Sequence, residues 1–110
     1  MRATRDFELV HRRGKRHSGD HFILWVLSRQ PGPTKVGITT SRKVGNAVRR
    51  NRFRRLIRES LRPLVSKISE GYKIVIVVRA RASPKSPVPS FGEVGLEVVK
   101  LLESSGVLVG

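Results

Sequence analysis

Lys43-Val44-Gly45-Asn46-Ala47-Val48-Arg49-Arg50-Asn51-Arg52-Phe53-Arg54-Arg55-Leu56-Ile57-Arg58-Glu59 is the stretch on which the fold turns, because here short apolar runs give way to helical periodicity. At about 100° per residue, Phe53, Leu56, Ile57, Leu61 and Leu64 gather on one side, and Asn51, Arg52, Arg55, Arg58 and Arg62 gather on the other. The spacing predicts a helix from about residue 44 to 68, with Pro63 as the residue that ends or bends it. One face packs and the opposite face is a row of guanidinium groups. Val48 falls on the basic side, so the first turn departs from this partition. An ordinary helix face of mixed sign is simply solvated. Between residues 43 and 59, however, every charged side chain except Glu59 is Lys or Arg, so intrahelical pairs cannot neutralise the row. The arginine fork can grip a phosphate through two hydrogen bonds and stack on exposed bases, and Asn51 adds a group that both donates and accepts. Gly45 either leaves the helix N-terminus open to a phosphate or supplies backbone freedom alone.

Working outward, residues 35–40 are rich in β-branched side chains and read as a strand, placed to pair as a hairpin with the apolar run at 21–28 across the Pro-Gly turn at 30–34. The 21–28 run, with Phe22, Ile23, Leu24, Trp25, Val26 and Leu27, predicts a strand covered on both sides. Further upstream, Thr4 is positioned to cap a short helix with Asp6 and Glu8 in its first turn, and Gly14 to stop it. Phe7, Val10 and His11 share a face of that helix. Downstream, residues 72–79 (YKIVIVVR) predict a central strand buried on both faces. Residues 80–89 form a Ser- and Pro-rich loop, and Ser90 with Glu93 match a capping box opening a helix that runs to Gly106. The order αββαβα, with room for one more short strand, predicts an α+β fold: a two-layer α/β sandwich with three main helices on a small mixed sheet. If the strands flanking the basic helix are parallel, the general rule makes their crossover right-handed.

The bulk numbers agree with one domain over residues 1–110 and with a polyanionic partner. Among 110 residues, 23 Lys and Arg face 8 Asp and Glu, a formal charge of +15. Such self-repulsion is relieved when phosphates neutralise it, and binding should then weaken steeply with salt. The absence of Cys excludes disulfides and Cys-based zinc sites and fits a reducing cytoplasm. No apolar run reaches the roughly 20 residues of a membrane span, and the first residues lack the apolar stretch of a secretory signal.

The central segment resembles the signature of the bacterial ribonuclease P protein family: Lys43, Gly45, Ala47 and Val48 as a lead-in, Arg50-Asn51-Arg52 as a core, then Arg54-Arg55 and Arg58-Glu59. Asp6-Phe7, Gly14, Val36-Gly37-Ile38 and the strand at 74–79 extend the resemblance over most of the chain. The resemblance implies a subunit that assists a catalytic RNA in removing the 5′ leader of precursor tRNA, the RNA performing the hydrolysis. It implies a basic face toward that RNA, made of Arg42, Lys43, Arg49, Arg50, Asn51, Arg52, Arg54, Arg55, Arg58 and Arg62. It also implies a cleft for the single-stranded leader, carrying Phe7, His11 and Trp25, where stacking tolerates any base sequence. For Phe7 and Trp25 core packing is the competing reading, and His11 stands where the family often has an aromatic ring. Phe22 is read as core. Arg12, Arg13, Lys15 and Arg16 either screen leader phosphates or lie in a solvated loop. Further implications are a left-handed crossover like that in the second domain of the fifth small-subunit ribosomal protein, Mg2+ required mainly by the RNA with no protein ligand, and a cytoplasmic monomer bound to one RNA.

Other classes remain in view. A ribosomal or general RNA-chaperone protein would share the charge and the framework, and only the ordered motif separates them. A basic membrane-surface helix fits the charge but not the strands. An autonomous nuclease would need gathered carboxylates or an acid–base pair, and neither the eight acids nor His11, His17 and His21 form such a motif in the sequence. A DNA-reading helix would need a partner helix and short turn before it, which the strand at 35–40 denies.

Overall fold

A computed structural model describes residues 4–79 and 87–108, with side chains from Phe7 onward. The strand expected near 72–79 forms as β4 (Lys73–Val78) and is interior, because alternation ceases where both faces are covered. It pairs antiparallel with β2 (Phe22–Leu27) and parallel with β3 (Lys35–Thr39), while β1 (Lys15–Ser18) adds to the outer edge of β2. The sheet order is β1-β2-β4-β3. The helices are α1 (Thr4–Arg13), α2 (Ala47–Leu61) and α3 (Phe91–Ser105). Three helices on a four-stranded mixed sheet are the expected α+β architecture.

Three details differ from the sequence expectation. Residues 21–28 and 35–40 do not form a hairpin; β4 inserts between β2 and β3, because pairing both with the most apolar strand buries more surface than pairing them with each other. The extra strand is β1, Lys-Arg-His-Ser, basic residues of little strand propensity recruited by the free edge of β2. Finally, β2 is not equally covered on its two sides: Phe22, Leu24 and Val26 are buried, whereas Ile23, Trp25 and Leu27 on the other face remain partly open.

That asymmetry organises the layers. Phe22, Leu24 and Val26 join Ile74, Ile76 and Val78 under Phe53, Ile57 and Leu61 of α2 and Val94, Val98, Leu101 and Leu102 of α3. Phe22 is thus core, as expected. The opposite face carries Trp25 level with Val75, and α1 lies there, with Val10 and Val75 both fully buried. The turn from α1 into β1 is tight enough to need Gly14: its N–H donates to the Val10 carbonyl at 2.7 Å, and a Cβ would collide with that carbonyl. The expected caps by Thr4 and the charge of Asp6 concern side chains outside the described residues, as does the 80–86 part of the Ser/Pro loop.

A carboxylate ties the two layers at their edge. Glu97 of α3 accepts from the backbone N–H groups of His21 and Phe22 at 2.8 and 2.7 Å, and from His21 Nδ1 at 2.8 Å. Ser90 caps α3, its Oγ accepting from Glu93 N–H at 3.2 Å, and Gly106 closes it in the left-handed conformation with φ of 77°.

Candidate RNA interface

The helix that carries the basic signature is shorter than its periodicity suggests. Ala47–Leu61 is α-helical, a 3-10 turn at Arg42–Val44 precedes it, and Pro63 tightens the following Arg62–Lys67 into a second 3-10 segment. Gly45, at φ 146°, lets the chain turn between the first 3-10 segment and the helix, and Asn46 is the cap, its Oδ1 accepting from Arg49 N–H at 2.9 Å. The sequence reading overlooked Asn46, although Asn immediately before a helical run is a standard start signal. With its side chain in that bond, the N-terminus is less open to an anion than Gly45 alone suggested.

Burial sorts the arginines. Arg52, Arg55, Arg58 and Arg62 are exposed with Asn51, on the side opposite buried Phe53, Ile57 and Leu61, and Arg42 and Lys43 are exposed on the preceding turn. Val48 is 77 % exposed within the same surface, as its position in the helix foretold. The remaining three are held differently. Arg49 Nε donates to the Val44 carbonyl at 2.7 Å, and the guanidinium lies 5.5 Å from the Phe53 ring centre, bracing the turn into the helix. Arg54 is half-buried and donates to Asn51 Oδ1 at 3.1 Å. Arg50 is half-buried too, its Nε shielded without a hydrogen-bond partner among the described residues. The only acid on this helix, Glu59, pairs with Arg62 at 3.3 Å, an exposed contact worth little and leaving most of the row uncompensated.

On the other side of the sheet, the aromatic positions meet as a group. The His11 and Trp25 rings lie 4.8 Å apart at 44°, and His11 Nδ1 donates to the Phe7 carbonyl one turn earlier at 2.8 Å. Phe7 and Trp25 are half-buried and His11 is exposed, so none of the three is sealed into the core. Beside Trp25 in register stand exposed Arg16 on β1 and, on the other side, buried Val75 of β4 followed by buried Gly37 of β3. Arg12, Arg13, Lys15 and Arg16 are exposed, the last two on a strand and not in a loop. The described residues contain no group of three or more His, Cys, Asp or Glu side chains that could hold a metal ion.

Known proteins match this chain in both sequence and fold. A family model described as Ribonuclease P matches residues 1–103. The chain is 37% identical over 109 residues to the ribonuclease P protein component of Clostridium novyi, covering 97% of this chain and 93% of that protein. It is 44% identical over 83 residues to that of a Picosynechococcus strain, covering 74% and 72%. The fold superposes on the RNase P protein of Thermotoga maritima solved with 1-(4-fluorophenyl)-2-thiourea, with a TM-score of 0.83, 30% identity and coverage of 94% and 96%. The Staphylococcus aureus RNase P protein shares the fold at a TM-score of 0.85 and 23% identity, covering 98% and 95%.

The division among the arginines has a measurable consequence in the absence of RNA. Replacing Arg49 by Ala removes a hydrogen bond and a ring contact, and should lower unfolding free energy by about 1–2 kcal/mol. Arg52 is exposed, and Arg52→Ala should stay within about 0.5 kcal/mol of the parent. Urea unfolding followed by circular dichroism separates the two, and equal losses would contradict the sorting.

Proposed function

This chain belongs to the ribonuclease P protein family, and from that premise we infer that it is the protein subunit of a ribonuclease P, an endoribonuclease that removes the 5′ leader of precursor tRNA. In this reading the RNA subunit carries out the hydrolysis and the protein holds two RNAs, the ribozyme and the leader. The observation that carries it is the row of Arg52, Arg55, Arg58 and Arg62, exposed together because Phe53, Ile57 and Leu61 are buried on the opposite side. The row, extended by Arg42, Lys43 and Asn51, docks on phosphates of the folded ribozyme. Arg49, Arg50 and Arg54 act at its border, shaping the helix and its entry turn. The leader lies across the open sheet face, where Trp25, His11 and Phe7 offer rings to bases of any identity and Arg16 a charge to a phosphate. Core packing competes with leader contact for Phe7 and Trp25, and their half-burial supports a mixed role in which one part of each ring packs and the rest is available.

Mg2+ belongs, in this reading, to the RNA, and no residue of the protein is assigned to it. One protein bound to one RNA in the cytoplasm is the assembly we propose. No described helix is long and apolar enough to cross a membrane.

Reconstitution tests the reading most directly. Adding the protein to its cognate ribonuclease P RNA should restore correct 5′ cleavage of precursor tRNA at a magnesium concentration where the RNA alone is slow, and unchanged cleavage would favour a general RNA chaperone. The docking row is tested by salt. Arg52→Ala combined with Arg55→Ala should weaken binding to the ribozyme and reduce the slope of log affinity against log salt by about one for each phosphate that is no longer neutralised; an unaltered slope would remove the row from the interface. The leader face is tested by substrate discrimination. Phe7→Ala and Trp25→Ala should each weaken precursor tRNA binding by the reconstituted enzyme roughly tenfold while sparing mature tRNA, whereas equal losses on both would return the rings to packing alone.

A further inference from the structure

Phe91, the first residue of α3, is 56 % exposed in a chain whose aromatic content is only 5%. Its place is fixed. Ser90 caps the helix immediately before it, the Glu93 carboxylate accepts from the Ser90 hydroxyl at 3.3 Å, and α3 packs along α2 below. The ring forms one wall of a depression of about 220 Å³ whose other lining residues are Arg55, Leu56 and Glu59 of α2. Arg55 belongs to the exposed guanidinium row, so the depression is continuous with the surface that docks the ribozyme.

The lining does not suit a phosphate, because Glu59 places a carboxylate in it and most of it is apolar. It does suit a flat, partly polar group. An aromatic wall, an aliphatic floor from Leu56, a guanidinium able to stack and a carboxylate able to accept from an amino group are together the requirements of a nucleobase. We propose that this depression receives one unpaired base of the ribozyme, stacked on Phe91, adjacent to the phosphates held by Arg52 and Arg55. The proposal rests on the docking assignment of the basic row. Flipping a base out of the RNA gives the otherwise sequence-blind row a fixed register: phosphate contacts orient the helix, and the seated base sets its position along the strand.

The test is binding of the full-length protein to its cognate ribonuclease P RNA over a salt series, with Phe91→Ala, Phe91→Leu and Phe91→Trp. Loss of stacking should weaken binding about tenfold for Ala and Leu at every salt concentration, with the salt slope of the parent retained, and Trp should bind like the parent. Leu keeps the apolar bulk and guards against a folding defect in Ala. If Leu binds as the parent does, or if Ala does, the proposal is overturned. Should Phe91→Ala leave affinity intact while Arg52→Ala with Arg55→Ala still flattens the slope, the seat fails and the docking row survives; if neither has any effect, the row itself is misplaced. RNA-free protein that dimerises in sedimentation only when Phe91 is present would assign the ring to a second copy, and would also overturn it.

Discussion

Six arginines against one glutamate make α2 a poor helix by itself, since Arg50, Arg54 and Arg58 follow one another at four-residue spacing and like charges there repel by a few tenths of a kcal/mol per pair. What holds it is the burial of Phe53, Ile57 and Leu61 against β2, β4 and α3. Each such side chain contributes roughly 1.5–3 kcal/mol when removed from water, so packing outweighs repulsion severalfold. The same burial aims the guanidinium groups. Because the apolar stripe can meet the core in only one rotation of the helix, Arg52, Arg55, Arg58 and Arg62 must all face outward together. A surface of this charge density therefore exists only as the reverse side of a packed one, and polyanion binding would relieve the repulsion that folding tolerates.

The parallel pairing of β3 with β4 carries the next consequence. Parallel neighbours need a crossover, and α2 is that crossover, so the basic helix is bound to one face of the sheet by connectivity as well as by its side chains. With α3 on the same face, α1, ten residues long, is the helix that the described residues place on the other. One short helix cannot cover four strands. Val10 and Val75 are both fully buried there, while Trp25, Ile23 and Val77 stay half-buried. The partly open aromatic strip is thus a result of the element count, and the two surfaces we assign to RNA lie on opposite layers of the sheet, placed to engage different strands at once.

The sequence showed most of this where local signals are strong. The apolar period of α2, the capping box and terminal glycine of α3, and the unbroken apolar run of β4 each encode one element by itself, and all three formed. What stayed hidden depends on partners distant in the chain. β1 has no strand signature in Lys-Arg-His-Ser, and exists only because β2 offers a free edge; the expected hairpin yielded to β4, whose competition for β2 and β3 no local turn could reveal. Within the candidate interface, helical spacing identified the exposed row, but it could not separate Arg52 from Arg49. Arg49 differs because the turn at Arg42–Val44 folds back and presents a carbonyl to its guanidinium, and that turn has no periodicity to read.

The chemistry of the two surfaces also constrains where specificity can reside. Guanidinium groups on phosphates and rings on base faces discriminate poorly among sequences, since every nucleotide has both. On the face we propose for the leader, this would suit a substrate set whose leaders differ, because stacking beside Trp25 and His11 would accept any base. On the row we propose for the ribozyme, it would leave the protein free to slide along a helix or to occupy any dense phosphate surface, as a general polycation at +15 would. Fixed docking needs at least one contact that depends on RNA shape. The junction where α2 packs on α3 is where the described residues supply a recess beside the guanidinium row, and a recess distinguishes a splayed base from a stacked one in a way that charge cannot.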